Sequence, residues 1–132
     1  MVTEDLLKRH PECIFVFGDN VLRRGRGGAA ALRPLPQMYG FITKKVPDHN
    51  PTSYYSVQEY YNVFDVELTK LIHTIQAMPT TIFLVSPVGS GIANRYGIWD
   101  SIIKPGLESL RKFKNVIFTE EIDDEKDISI RG

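Results

Sequence analysis

Four short apolar runs, separated by polar stretches rich in glycine and proline, organise this chain. The clearest are residues 13–17 and 82–85, which are continuous blocks of apolar side chains rather than alternations of apolar and polar ones. Continuous blocks of this length are typical of strands covered on both faces, as in a parallel sheet. Shorter runs occupy residues 39–43 and 116–118. We therefore predict four strands in a mostly parallel central sheet.

Helix signals lie between these runs. Thr3 is placed to cap a short helix over Glu4–Arg9. Ser56 and Glu59 have the spacing of a capping box, which predicts a long helix that begins at Val57. The apolar residues of this helix recur every three or four positions and predict a buried face made of Val57, Tyr60, Tyr61, Phe64, Leu68, Leu71, Ile72 and Ile75.

A third helix is predicted over residues 98–113, where Pro105 either kinks the helix or lies in the first turn of a new one. Helices that alternate with strands predict an α/β fold with three layers, α/β/α. The chain has 132 residues, which fits one domain. We assign residues 1–119 to that domain and expect residues 120–132 to form an acidic, partly ordered tail.

Two of the predicted strands run into loops rich in glycine. The first glycine loop, residues 21–28, follows Asp19 and Asn20, and the second glycine loop comprises residues 86–91. Ligands of open α/β sheets lie across the carboxyl ends of the strands, where such loops converge. Glycine leaves backbone amides uncovered, so these loops are suited to a phosphate or diphosphate. The alternative is that both are ordinary turns, with Asp19 and Asn20 bonded to their own backbone.

Composition and motifs exclude several classes of function. No Gly-Lys-Ser or Gly-Lys-Thr closes either loop, and the glycine spacing is not a dinucleotide fingerprint. Sixteen basic and sixteen acidic residues give zero net charge, so no bulk field attracts nucleic acid or an anionic membrane. No apolar run approaches the ~18 residues of a membrane span. Three scattered histidines and a lone, buried Cys13 offer no metal site. We expect a cytoplasmic protein without a cofactor.

Three motifs occur in a fixed order along the chain. Thr43, Lys44 and Lys45 end the second strand, a loop with His49, Pro51, Thr52 and Tyr54 follows, and Pro87 to Gly91 precede Trp99. Over residues 14–118 this order is similar to that of a macrodomain, the α/β module that binds ADP-ribose. It most resembles the branch of the vertebrate terminal ADP-ribose glycohydrolase and the bacterial antitoxins that remove ADP-ribose from DNA. The resemblance implies a macrodomain-like fold truncated at the N-terminus.

The resemblance also implies roles for individual residues. Asn20 matches an asparagine that hydrogen-bonds the distal ribose, and Lys44 matches a lysine that attacks the anomeric carbon. The glycine loops match those that bind the diphosphate, so Gly89→Val is expected to abolish binding without unfolding. Arg95 is expected to neutralise charge. The implied set is Lys44 as the catalytic residue, with Gly18, Asp19, Asn20, Gly25, Gly27, Gly28, Ala29, Thr43, Gly89, Ser90, Gly91, Ile92, Asn94 and Arg95 as ligand-binding residues.

The chain departs from the family pattern at Ala93. The branch has its second catalytic residue, an aspartate, at this position, and neither alanine nor the following Asn94 acts as a general acid or base. The strand that carries the family's adenine-binding aspartate is also missing, with Asp19 as a substitute. The resemblance therefore implies binding of ADP-ribose, or of a related adenine-ribose diphosphate, in preference to efficient hydrolysis.

Other functions stay open at this stage. A glycohydrolase would release ADP-ribose from a protein or nucleic acid, with Lys44 as nucleophile and Lys45 or Arg95 as the cationic neighbour that activates it. A non-catalytic protein would sequester a free nucleotide, including a cyclic ADP-ribose derivative. A structural or interaction domain would use its glycine loops only as turns. The arginines of residues 23–26 could contact a nucleic acid carrying ADP-ribose, although zero net charge argues against a dedicated nucleic-acid binder.

Overall fold

The computed structural model describes all 132 residues and contains one four-stranded sheet. Its strands are β1 (Cys13–Asn20), β2 (Met38–Lys44), β3 (Ile82–Val85) and β4 (Val116–Phe118). All neighbouring strands are parallel, in the order β2-β1-β3-β4. The prediction of a parallel sheet is confirmed. The central strand β1 extends three residues past its apolar run, because Gly18, Asp19 and Asn20 continue the pairing with β2.

The first face of the sheet packs against the long helix α2 (Val57–Ala77) and the helical segment of residues 99–112. Sheet residues Val16, Phe83 and Val85 belong to the buried cluster on this side. Successive residues of a strand point to opposite faces, so a continuous apolar run supplies a core on both sides. This explains why β1 and β3 read as unbroken apolar blocks.

The second face packs against α1 (Glu4–Arg9), a 3-10 helix at Gly28–Leu32 and the C-terminal segment. Phe15, Phe17 and Leu84 contribute to its buried cluster. The predicted α/β/α layering is therefore confirmed. As predicted, α1 is capped by Thr3, whose hydroxyl accepts a hydrogen bond from the Leu6 amide.

The helix α2 begins at the predicted capping box. The Ser56 hydroxyl accepts a hydrogen bond from the Glu59 amide, and the Glu59 carboxylate accepts one from the Ser56 amide. The predicted burial of Tyr61 is wrong, because this side chain is 57% exposed. Glu67 is buried on the inner face instead, which apolar periodicity does not indicate. Neither α2 nor any other helix combines the length and apolar character needed to cross a membrane.

The helix predicted over residues 98–113 is interrupted. It consists of a π-helical turn at Trp99–Ile103, the short helix α3 (Lys104–Leu107) and a 3-10 turn at Glu108–Lys112. Pro105 lies in the first turn of α3, where the missing N–H breaks no helical hydrogen bond. Of the two predicted arrangements, the chain adopts the one with Pro105 in the first turn of a new helix, α3, which begins at Lys104 directly after the π-helical turn.

The C-terminal segment, residues 119–132, lies against the second face of the sheet. Ile128 is buried in the cluster on that face. The Arg131 guanidinium donates hydrogen bonds to the carbonyls of Arg111 and Phe113. We expected a partly ordered tail, but the structure places this segment in contact with the domain: Ile128 and Ile122 pack on the cluster of the second face, and Glu125 pairs with Arg9 and His10.

Candidate functional site

The carboxyl ends of β1, β2 and β3 open into a cleft of about 730 Å³, a volume typical of small-molecule sites. We call it the carboxyl-edge cleft. Both glycine loops line it. Thirteen of the fifteen residues implied by the resemblance lie in its wall, namely Gly18, Asp19, Asn20, Gly25, Gly27, Gly28, Ala29, Thr43, Lys44, Gly89, Ser90, Gly91 and Ile92.

Backbone amides in both glycine loops are uncommitted. In the second loop and the turn after it, the N–H groups of Gly89, Gly91 and Ile92 donate no hydrogen bond within the protein. In the first loop, the amides of residues 25 and 27–29 likewise donate no hydrogen bond within the protein. Gly25 and Gly89 have positive φ, at 101° and 81°, so a glycine is needed at each to form the loop. Two sets of uncommitted donors therefore belong to residues that line one cleft.

The expected effect of Gly89→Val needs correction. A Cβ atom on Gly89 would lie 2.4 Å from Ile103 Cδ1 and 3.4 Å from Thr43 Cγ2, so it would point into packed side chains and not into the cleft. Such a substitution would disturb the fold itself. Gly91 is a better position for a test, because a Cβ there meets no atom within 4 Å.

Arg33 holds the first glycine loop in place, and sequence reasoning missed it. Its guanidinium binds the Asp19 carboxylate through two hydrogen bonds of 3.0 and 2.8 Å. It also donates to the carbonyls of Gly25 at 3.1 Å and Arg24 at 3.2 Å. The sequence indicated Arg33 only indirectly. A buried aspartate near the end of a strand requires a cationic partner, but spacing alone does not show which arginine or lysine that partner is.

Asp19 is almost fully buried and stays ionised. Burial alone would raise the pKa of its carboxyl, but hydrogen bonds from Arg33 and the Asn20 amide, with the charge of Arg33, outweigh that effect. The pKa of Asp19 is consequently below its ordinary value. Since its carboxylate is committed to arginine, Asp19 presents no free anion to the cleft.

The side chain of Asn20 is also committed to the loop. Its Nδ2 donates to the Arg24 carbonyl at 2.6 Å, and its Oδ1 accepts from the Leu22 amide at 3.1 Å. This is the turn arrangement that we considered as an alternative from the sequence. Asn20 therefore shapes the first glycine loop in this structure, although it also lines the cleft.

Lys44 lies in the cleft wall with its amino group held by neighbours. Its Nζ donates to the Asp48 carbonyl at 2.6 Å and lies 4.5 Å from the centre of the Tyr54 ring. His49 also lines the cleft and contacts the Tyr54 hydroxyl through Nδ1 at 3.3 Å. Lys45, suggested as an activating neighbour, is instead paired with Glu59 at 2.8 Å.

Two residues of the implied set lie outside the cleft wall. The Asn94 side chain accepts a hydrogen bond from the Trp99 amide at 2.9 Å, so it caps the turn that follows. The Arg95 guanidinium lies over the rings of Tyr54 and Tyr96, at 5.4 and 5.7 Å. Neither residue lines the cleft, although Arg95 and the cleft residue Lys44 lie over the same Tyr54 ring.

The cleft carries a positive balance of charge. Four cationic residues line it, namely Arg24, Arg26, Arg33 and Lys44. The one acidic residue in the wall is Asp19, which Arg33 neutralises. Arg24 and Arg26 are exposed and form no ion pair. Basic residues are thus concentrated here although the whole chain has zero net charge. No group of three or more His, Cys, Asp or Glu side chains is arranged to hold a metal ion.

An apolar groove of about 710 Å³ adjoins the carboxyl-edge cleft. Gly28 and Ala29 line both cavities, so one continuous wall connects them. The remaining wall of the groove comes from the N-terminus, β1, the 3-10 helix and the end of β4, and includes Met1, Val2, Phe15, Leu32 and Thr119. One of the two cavities is lined by cationic residues and the other mainly by apolar ones.

One protein-family model, described as a family of unknown function (DUF7831), matches residues 1–95. The matched part contains β1 to β3, both glycine loops and every residue that lines the carboxyl-edge cleft. Comparison with curated proteins and with solved structures gave no match.

Proposed function

The chain belongs to a family of unknown function, DUF7831, and we propose that its carboxyl-edge cleft binds ADP-ribose or a related adenine-ribose diphosphate. The observation that carries this proposal is the convergence of uncommitted amides from both glycine loops on one cationic cleft. Backbone N–H groups in such loops bind phosphate oxygens well, because they donate from several directions without the cost of ordering long side chains.

A diphosphate suits the cleft better than a neutral ligand. Arg24 and Arg26 are unpaired, and the carboxylate of Asp19 is neutralised within the protein. An anion entering the cleft therefore meets donors and positive charge and no competing free carboxylate. This balance argues against the alternative in which the glycine loops are only turns.

The apolar groove supports an adenine-containing ligand. It meets the cleft at Gly28 and Ala29, so a base in the groove and a diphosphate in the cleft can belong to one molecule. We choose ADP-ribose among adenine nucleotides because of the resemblance to macrodomains, which rests on the order of the motifs along the chain.

Binding without efficient hydrolysis is the preferred form of this function. Ala93 lines the cleft at the position where the resemblance calls for an aspartate, and its methyl group transfers no proton. Lys44 lies in the same cleft, so glycohydrolase activity with Lys44 as nucleophile is the second candidate. A Lys44→Ala variant separates the two, because removal of a nucleophile stops turnover while leaving much of the affinity for ADP-ribose.

The decisive test is isothermal calorimetry of the purified protein with ADP-ribose, using AMP and ribose 5-phosphate as fragments. We expect micromolar or tighter binding of ADP-ribose and much weaker binding of either fragment, since each fragment leaves part of the site empty. Arg26→Ala should weaken binding. Lys114→Ala is the matched control, because it removes one exposed positive charge just before β4, at the opposite edge of the sheet. Absence of heat with ADP-ribose would overturn the proposal.

A further inference from the structure

We propose that Arg33 and Asp19 form a preset clamp that positions the first glycine loop for anion binding, without either side chain contacting the ligand. The inference rests on the proposed function only in taking the ligand to be an anion. It assigns Arg33 as a positioning residue, distinct in role from the neighbouring Arg24 and Arg26.

The clamp connects three parts of the site. Asp19 is the next-to-last residue of the central strand β1, and Arg33 follows the 3-10 helix that begins at Gly28. The carbonyls of Arg24 and Gly25 lie in the loop between them. The two hydrogen bonds to Asp19 are the bidentate arrangement that guanidinium and carboxylate groups favour. Arg33 thereby fixes the middle of the loop to the rigid sheet.

The loop has little else to hold its middle. Amides 24–29 donate no backbone hydrogen bond, and the loop includes Arg23 and Gly25 at positive φ, 55° and 101°. Asn20 binds the Arg24 carbonyl, and Arg23, in the first half of the loop, binds the Gly40 carbonyl at 2.7 Å and the Asp19 carboxylate at 3.3 Å. Without Arg33 the Gly25 carbonyl would have no side-chain partner, and the amides that face the cleft would lose their fixed directions.

Arg33 has little capacity left for a ligand. Four of its five N–H groups are used in the bonds to Asp19, Arg24 and Gly25. Its guanidinium also lies 5.3 Å from the centre of the Phe17 ring, and its side chain is 23% exposed. Arg24 and Arg26, by contrast, are exposed and unpaired, so they are the cations available to a bound anion.

Preorganisation is the physical benefit of this arrangement. A loop already held in its binding geometry loses less conformational entropy when an anion binds. Lysine does not reproduce the clamp, because a single ammonium group lacks the planar fork that reaches both Asp19 oxygens and the two loop carbonyls at once. Arg33→Lys therefore keeps the positive charge of the cleft wall but removes the set of hydrogen bonds to Asp19 and to the two loop carbonyls.

The test combines backbone ¹⁵N relaxation of the unliganded protein with calorimetry using inorganic pyrophosphate and ADP-ribose. For Arg33→Lys we expect lower order parameters at residues 25–29 and affinity about tenfold weaker, with the circular dichroism spectrum unchanged. Arg26→Ala is the control: it should weaken binding and leave the order parameters of the loop as they were. Asp19→Asn, which keeps the side-chain shape, provides a second variant if Arg33→Lys does not fold, and should also lower the order parameters at residues 25–29.

The outcomes separate the clamp from the proposed function. Unchanged loop order parameters in both clamp variants would overturn the clamp, and weaker binding with unchanged order parameters would make Arg33 a direct ligand contact instead. If the unmodified protein binds neither pyrophosphate nor ADP-ribose, the proposed function fails, and the positioning of the loop is still decided by the order parameters of the unliganded variants.

Discussion

The carboxylate of Glu67 on α2 accepts a hydrogen bond of 2.7 Å from the backbone amide of Ile42 in the edge strand β2. The Tyr60 hydroxyl, two turns earlier on the same helix, donates to the Ile42 carbonyl. The backbone N–H and C=O of Ile42 are therefore both bonded to side chains of α2. On an edge strand these groups would otherwise need another strand as a partner. The helix thus closes the sheet edge immediately before Thr43 and Lys44 enter the cleft.

Replacing Glu67 tests this edge closure. Glu67→Leu would leave the buried Ile42 amide without an acceptor, and we expect a loss of about 1–3 kcal/mol in the free energy of unfolding. Urea denaturation followed by circular dichroism measures it. Glu67→Gln is the matched control, because its amide oxygen still accepts the bond. Equal stability of Glu67→Leu and the unmodified protein would show that the bond contributes nothing.

Gly89 and Gly91 lie two residues apart and should respond oppositely to valine. Gly89→Val should destabilise the protein by about 2–5 kcal/mol, because it combines a positive φ with a Cβ 2.4 Å from Ile103 Cδ1. Gly91→Val should cost less stability than Gly89→Val, since its Cβ meets open space, yet it should abolish ADP-ribose binding. Thermal denaturation and calorimetry on both variants check this pair. Full affinity in a folded Gly91→Val variant would contradict the assignment of the second glycine loop.

His10 makes stability depend on pH. Hydrogen bonds to Glu125 and then to Glu12, at 3.1 and 3.0 Å, raise the pKa of His10 above its ordinary value, and burial opposes them. A histidine whose pKa rises on folding contributes stability that is complete below its unfolded pKa, about 6.5. That contribution is lost as the pH rises through the folded pKa. We therefore expect the unfolding free energy to fall as the pH increases above about 6.5.

His10→Gln should remove this pH dependence, measured by urea denaturation at a series of pH values. His73→Gln is the control, because His73 is exposed on α2 and has no carboxylate partner in the structure. A pH dependence that persists in His10→Gln would assign the effect to another group.

Cys13 should be inert in the folded protein. Its side chain is fully buried in β1, and burial, with a smaller effect from the charge of Glu12, raises the pKa of the thiol to about 12. At pH 8 the thiolate fraction is then about 10⁻⁴, and a reagent cannot reach the sulfur. We expect a disulfide reagent such as DTNB to label Cys13 only as fast as the protein opens. The urea-unfolded chain provides the control, and rapid labelling of the native protein would contradict this burial.

Local chemistry determined much of the fold from the sequence. The continuous apolar blocks of residues 13–17 and 82–85 required cover on both faces, and they form β1 and β3. Thr3 and Ser56 fixed the starts of α1 and α2, because a capping side chain acts within three residues of its own position. The convergence of the two glycine loops also followed from the sequence, since parallel strands present their carboxyl ends at one edge.

Only the tertiary structure decided which distant side chains meet. Arg33 is fourteen residues from Asp19, Glu67 is twenty-five from Ile42, and His10 is 115 from Glu125. Such pairs depend on how elements pack and not on the spacing within one element, so periodicity and capping carry no information about them. The direction of a Cβ is decided in the same way: Gly89 and Gly91 look equivalent in the sequence, yet one faces packed side chains and the other open space.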